Sequence, residues 1–426
     1  MAHEFDYMSA SELRLRIGRK DISPVELTRR SLERAEAVQA DLNAFFVLFP
    51  EKALAAAQAA EDAVMSGAAL GALHGLPMSV KDLIAVGDAP FAFGSKVMAD
   101  NIADADAPAV ERARAAGAVV IGKTTTSEFG CKPVGDSPLT GITRNPWNRD
   151  KTPGGSSAGA GASIAAGVTP FGLGTDGGGS IRIPASLTGL AGIKGSFARV
   201  PVSPTPATPT LAHVGPMARN MRDAALLFSA IAGYDARDPF GIAGDVPDVV
   251  AACEQSVEGM RIAWSPTLGY AKPDAEVVEI VEAAVRKFED AGAHVEQVDD
   301  VFAEDPADLW SAEFYAGVGI KLRAVLENQR DMLDPAVADI LEPALGQEMR
   351  DYYTKVFERY VLRDRMTAMF EKYDALISPV LPVSSVDAGV NVPPGHEDRN
   401  LVSWVYYTYP FNLTGQPAAS VCAGIA

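Results

Sequence analysis

The sequence predicts an α/β protein, and three observations carry that prediction. Short β-branched runs alternate with helix-periodic stretches, 48% of the 426 residues are hydrophobic, and glycine and proline punctuate the chain from His74 onward. A chain of this length and apolar content can bury one large core or two smaller ones, which excludes a disordered chain. No tandem repeat is visible.

The first 70 residues read as helical. Ser9-x-x-Glu12 and Ser23-Pro24-x-Glu26 are capping-box openings, the second with proline at the first helical position, and Glu51 to Ser66 is alanine-rich with no breaker before Gly67. Residues 1–70 are expected to pack as a helical segment on a larger α/β unit spanning 71–426. Within that unit, Pro77 to Lys81 and Ala118 to Ile121 are strand candidates on either side of a helix near Ala109 to Ala116. Pro201, Pro204, Pro206 and Pro209 demand a surface loop. A βαβ crossover follows: strand Arg261 to Trp264, helix Asp274 to Asp290 with Val277, Val281, Val285 and Phe288 on one face, and strand His294 to Val298. Residues 306–373 read as mainly helical with breaks at Pro335 and Pro343, before strands near Ala375 to Ser378 and Ala419 to Ala423.

The charge balance, 55 acidic against 37 basic residues for a net −18, repels a phosphate backbone and disfavours nucleic acid as a partner. The acidic run Glu296, Asp299, Asp300, Glu304, Asp305, Asp308 reads as solvated surface. Three scattered cysteines, Cys131, Cys253 and Cys422, give neither a disulfide framework nor zinc spacing, which suits a reducing cytoplasm. The acidic start lacks the pattern of a signal peptide. Thr152 to Thr175 is uncharged for 24 residues, but its Gly, Ser, Ala, Thr and Pro point to a tight region of a soluble protein rather than a membrane span.

Three familiar motifs match by letter and fail by context. Gly117 to Thr124 fits a phosphate-binding loop, yet a β-branched strand fills the loop positions. Gly172-Leu-Gly174-Thr-Asp-Gly177 fits the dinucleotide fingerprint without the strand, helix and later acid that the ribose requires. Gly155-Ser156-Ser157-Ala158-Gly159 fits the nucleophile elbow, but Lys151-Thr-Pro-Gly is a poor central strand. The downstream histidines His213, His294 and His396 read as ordinary residues rather than a base.

What remains is a serine chemistry without histidine. A serine nucleophile needs a proton acceptor, donors for the oxyanion and a path returning the proton to the leaving group. Two glycine loops carry candidate serines, Gly154-Gly-Ser156-Ser157 and Gly174-Thr-Asp-Gly-Gly-Gly-Ser180-Ile-Arg182. The glycines before Ser180 allow successive N–H groups to point at one spot. Lys81, at the end of an apolar strand, has two readings: a buried neutral base, or an ion pair with Asp82 or another acid at the strand end.

The run Gly75-Leu-Pro-Met-Ser-Val-Lys81-Asp82, then Thr143 to Asn148, Thr152-Pro-Gly-Gly-Ser-Ser157, and Gly174 to Ala185, resembles the amidase signature family in order and spacing. His213-Val-Gly-Pro216 and Asn412-Leu-Thr-Gly-Gln-Pro417 fit as well. The resemblance implies an α/β/α sandwich around one large mixed, mostly parallel sheet. It implies a Ser-Ser-Lys triad: Ser180 as nucleophile, Lys81 as base, and Ser156, after a cis peptide bond, as the proton bridge. The amides of Gly177, Gly178, Gly179 and Ser180 would form the oxyanion hole, with Ser157, Asp176 and Arg182 as supports.

Hydrolysis of a linear amide, ester or carbamate is then expected, without metal or cofactor. The alternative is the glutaminase component of a tRNA-dependent amidotransferase, disfavoured by Ile183 where such components carry glutamine. Partners would be a small-molecule substrate, with neither nucleic acid nor membrane, and a homodimer is left open. Substrate choice is expected at Gly130, Cys131 and Lys132, the 201–210 loop, the 306–373 helices and the patch Trp404, Tyr406, Tyr407. Cys131 is expected to line the pocket, because no Glu and Lys partners at suitable spacing stand beside it as a nucleophile would need. Ala158, Ala160, Gly177 and Gly195 depart from the family pattern, and the resemblance implies a further strand and helix beyond Ala426.

Overall fold

The computed structural model describes residues 4–426. Its first strands are β1 (Phe45–Leu48), β2 (Pro77–Lys81), β3 (Val119–Thr124) and the short hairpin β4 (Asp136–Ser137) and β5 (Gly141–Ile142). They are followed by β6 (Phe171–Asp176), β7 (Ala191–Lys194) and β8 (His213–Ala218). The last four are β9 (Arg261–Trp264), β10 (His294–Gln297), β11 (Ala375–Ile377) and β12 (Ala418–Ser420).

A 7-stranded sheet runs in the order β1-β3-β2-β6-β8-β7-β12. Parallel pairing is confined to β3-β2-β6, while β1, β8, β7 and β12 pair antiparallel. The sheet is mixed as expected, but not mostly parallel, because β8 lies between β6 and β7 and runs antiparallel to both. The predicted crossover forms, with β10 and β11 both parallel to β9. It builds a separate 3-stranded sheet rather than extending the large one.

Strand alternation sorts the large sheet into two faces. Met78 and Val80 of β2, Phe171 and Leu173 of β6, and Val214 and Ala218 of β8 join one core with residues of the helices Ala10–Gly18, Pro108–Ala115 and Met221–Ile231. The other face receives the helix Ala158–Ala165, made only of Ala, Gly, Ser and Ile. Small residues are required there: a Cβ on Gly159 would stand 2.1 Å from the Ala44 carbonyl oxygen. The uncharged stretch read from the sequence is this helix and the turn and strand flanking it.

The N-terminal segment differs from expectation in one respect. Its helices begin where the caps predict, with Ser9 accepting from the Glu12 N–H and Ser23 from those of Val25 and Glu26. Yet β1 lies between the second and third helices and pairs with β3, so residues 1–70 contribute an edge strand as well. Phe45-Phe-Val-Leu48 is too short and apolar for periodicity to separate from a helix turn. The region 306–373 is helical as expected, in segments Ala307–Lys321, Arg323–Asn328, Pro335–Ala344 and Met349–Lys372. Pro335 opens a helix rather than breaking one, and Pro343 sits in the last turn of the same helix.

Candidate active site

Lys81 ends β2 and is fully buried. Its Nζ lies 2.7 Å from Ser156 Oγ and 2.7 Å from Thr175 Oγ1. The neighbouring acid does not serve it: Asp82 pairs with Lys123 Nζ at 2.8 Å and accepts the N–H groups of Ala92 and Gly94. The reading of Lys81 as an ion-pair partner of Asp82 is therefore overturned. Burial pushes the Lys81 amine well below the ordinary lysine range, with the Asp176 carboxylate pulling the other way.

Ser156 is 1% exposed and follows the cis peptide Gly155–Ser156. Gly130 walls it on one side, since a Cβ there would come within 3.2 Å of Ser156 Oγ. Ser157 Oγ donates to the Thr175 carbonyl at 3.2 Å and accepts the Thr175 N–H at 3.3 Å. That tie fastens the start of the small-residue helix to the strand carrying Thr175. Ser180 stands half-buried between β6 and the helix Arg182–Thr188. The structure thus joins Lys81, Ser156 and Thr175, while no hydrogen bond links Ser180 to Ser156.

The loop before Ser180 is held from beneath by Asp176, which is fully buried. Its carboxylate takes Arg182 Nε at 2.9 Å and Nη2 at 3.0 Å, Asn412 Nδ2 at 2.9 Å, and the N–H groups of Gly179 at 2.8 Å and Ile181 at 3.3 Å. Burial alone would raise its pKa, but Arg182 overcomes that and holds it below the usual carboxylate range. Gly179, whose φ of +136° suits glycine, therefore has its N–H committed to Asp176 and cannot donate to an oxyanion in this arrangement. The loop N–H groups left without a protein partner among the described residues are those of Gly177, Gly178 and Ser180.

The remaining expectations fall in different places. Glu128 and Lys132 do flank Cys131, contrary to the sequence reading, but they serve structure. Glu128 accepts from Ser95 Oγ at 2.6 Å and the Asp334 N–H at 2.7 Å, and burial pushes its pKa up to about 6. Lys132 Nζ contacts Asp136 and, at 2.5 Å, Asp334. The Cys131 thiol is fully buried and burial raises its pKa, the reverse of what a thiolate nucleophile needs. Trp404, Tyr406 and Tyr407 are core residues, with Trp404 Nε1 and the Tyr407 hydroxyl donating to the carbonyls of Asn391 and Pro266.

His213, on β8, is held neutral by burial, with its pKa down to about 3, and Nδ1 lies 2.8 Å from the Leu211 carbonyl oxygen. A groove of about 1200 Å³ runs between the helix Ala275–Asp290, β11 and the tail after β12, and none of Lys81, Ser156 and Ser180 lines it. Among the described residues no cluster of three or more His, Cys, Asp or Glu could hold a metal ion. No helix among them is long and apolar enough to cross a membrane.

Thr175, Trp310 and Thr408 are the site residues that sequence reasoning misses. Thr175 has a local signal, one position before Asp176 at the strand end. Trp310 and Thr408 carry none, since each reaches the loop from far along the chain: Trp310 Nε1 donates to the Gly177 carbonyl from 133 positions away and Thr408 Oγ1 to that of Gly178 from 230.

Compared with known families, the chain matches the family described as Amidase over residues 26–426. The chain belongs to the amidase signature family. This amidase is 34% identical over 435 residues to an acylamidase of Rhodococcus erythropolis, a match covering 98% of this chain and 89% of that relative. It is 31% identical over 450 residues to a glutamyl-tRNA(Gln) amidotransferase subunit of Nitrosococcus oceani, covering 99% of this chain and 91% of that relative. Its fold matches the crystal structure of a bacterial aryl acylamidase with a TM-score of 0.93 at 29% identity, covering 100% of this chain and 91% of that one. The protein is an amide-hydrolysing enzyme of the α/β class.

Proposed function

We propose that this amidase hydrolyses a linear acyl amide, aryl or aliphatic, through a covalent acyl-enzyme on Ser180. The observation that carries the reading is the buried Lys81 Nζ, 2.7 Å from Ser156 Oγ with hydroxyls as its side-chain partners. A neutral amine there accepts the Ser156 proton as Ser156 accepts that of Ser180, so the Ser180 oxygen attacks the acyl carbon. The developing oxyanion takes the N–H groups of Gly177, Gly178 and Ser180. The proton then returns through Ser156 to the leaving nitrogen, and water repeats the sequence to release the acid. Esters and carbamates fit the same steps. The similarity to an acylamidase and an aryl acylamidase supports the amide substrate.

A fluorophosphonate probe should label Ser180 of the wild type and leave Ser180→Ala unlabelled, inactive and folded. Full anilide hydrolysis by Ser180→Ala would remove the mechanism. The similarity to glutamyl-tRNA(Gln) amidotransferase subunits favours a second reading, glutaminase action within a complex. It predicts glutamine hydrolysis only when partner proteins are present, and a panel of anilides, aliphatic amides, carbamates and glutamine separates the two.

A further inference from the structure

We propose that Trp310 is a positioning residue that aims the Gly178 N–H at the acyl oxygen, an inference resting on Ser180 as the nucleophile. The argument starts from the geometry of a trans peptide, whose carbonyl and following N–H point in opposite directions. Fixing the carbonyl therefore fixes where the next N–H points. The loop shows this at one peptide with both ends engaged: Thr408 Oγ1 donates to the Gly178 carbonyl at 2.6 Å, and the Gly179 N–H points the other way to Asp176 at 2.8 Å.

One peptide earlier the same device has only one end tied. Trp310 Nε1 donates to the Gly177 carbonyl at 2.8 Å, and the opposed Gly178 N–H meets no protein acceptor among the described residues. The peptide following Gly179 repeats the pattern, its carbonyl accepting the Ile183 N–H at 2.8 Å and leaving the Ser180 N–H free. Trp310 differs from the backbone anchor in coming from a distant helix, so its hold depends on that helix's packing.

That packing is tight and built around glycine. Trp310 is 2% exposed and stacks on Phe314, with ring centroids 4.5 Å apart, and on Tyr315 edge to face at 5.5 Å. A Cβ on Gly178 would stand 2.7 Å from Trp310 Cζ2, and one on Gly177 2.9 Å from Phe314 Cε2. The space beside the glycine at 177, unusual in the family resemblance, is thus filled by the Phe314 ring. On the same helix, a Cβ on Gly317 would stand 2.3 Å from the Ala207 carbonyl oxygen, which seats that helix on the proline-rich loop. Positions 310, 314 and 317 share one helix face, so one element braces the oxyanion loop and the loop beside it.

Trp310→Phe removes the N–H together with the fused-ring atoms that pack on Gly178, so the replacement that keeps the ring shape is benzothienylalanine, where sulfur takes the place of the N–H. With benzothienylalanine at 310 and an acyl anilide we expect kcat to fall about 10- to 100-fold, less than the loss of an oxyanion donor itself, while KM and the thermal midpoint stay near wild type. Affinity for a trifluoromethyl ketone, whose adduct carries the oxyanion, should fall in parallel, and affinity for the product carboxylate should not. Trp310→Phe should show the same fall in kcat and ketone affinity with KM near wild type, and a lower thermal midpoint from the cavity it leaves. Unchanged kcat and ketone affinity in the benzothienylalanine protein, or a loss carried there by KM or stability, would overturn the proposal while fluorophosphonate still labels Ser180. Failure of the wild type to label at Ser180 would overturn the mechanism and this inference together.

Discussion

Lys81 and Lys123 sit side by side on parallel strands, Lys123 opposite Val80 and Thr124 opposite Lys81, and both are 0% exposed. Lys123 has a carboxylate, Asp82 at 2.8 Å, the Pro90 carbonyl at 2.8 Å and the Phe91 ring 4.7 Å away. Lys81 has two hydroxyls. Burial lowers the pKa of both amines, but Asp82 pulls Lys123 back toward the charged form through a contact that Lys81 lacks. Burial supplies the push in both places, and the partner decides whether the lysine is held in an ion pair or left without a counter-ion.

The largest test breaks the comparison from both sides. Lys81→Met should lower kcat about 1,000-fold or more with the fold retained, because on the proposed mechanism it removes the base and leaves only hydroxyls behind. Lys123→Met should do the reverse, leaving the Asp82 carboxylate buried without its cation and destabilising the protein by about 3–5 kcal/mol. Its kcat per folded molecule should stay within about tenfold of wild type. Urea denaturation and kinetics normalised to the folded fraction read the two quantities separately. If Lys123→Met lost the chemistry and kept the stability, the roles assigned to the two lysines would be exchanged.

A smaller change turns one setting into the other. Thr175→Asp gives Lys81 the kind of neighbour that Lys123 has, and a carboxylate there favours the ammonium. On the proposed mechanism the acid limb of kcat/KM reports loss of the Lys81 proton, so it should move to higher pH by about a unit or more. Activity near pH 7 should drop about tenfold or more and recover partly near pH 9. An acid limb that stays in place would show that another group titrates.

These contrasts explain what can be read from the sequence. Strands such as Pro77–Lys81 and Arg261–Trp264 are legible to the residue because local apolar runs end at turn residues. The capping serines at 9 and 23 are equally local. Lys81 is half legible: its place at a strand end can be read, but not its freedom from Asp82, since Lys123 arrives from a separate strand. The Gly179 amide is misjudged for the same reason, because spacing shows how many N–H groups a loop offers and not which the neighbouring Asp176 takes. The aromatic patch at 404–407 resembles a pocket only because composition cannot separate a buried aromatic from a lining one.

Thermodynamic linkage isolates Lys81 without reference to the chemistry. Unfolded, its amine binds a proton near 10.5, and folded it does so only well below that value. Between the two pKa values the unfolded chain holds one more proton, so stability is lost as pH falls from 10.5 toward the folded pKa, by about 1.4 kcal/mol per pH unit. Above 10.5 neither state carries the proton and the contribution is whole. Lys194, pushed down to about 7 by burial, adds a slope of the same sign, so the absolute curve does not identify the residue. The difference between wild type and Lys81→Met does, because Lys194 is common to both. Urea unfolding from pH 7.5 to pH 10 should show the wild type losing ground to Lys81→Met as pH falls. A difference that stays flat across that range would mean the folded protein carries Lys81 as an ammonium, and a charged amine cannot accept the Ser156 proton.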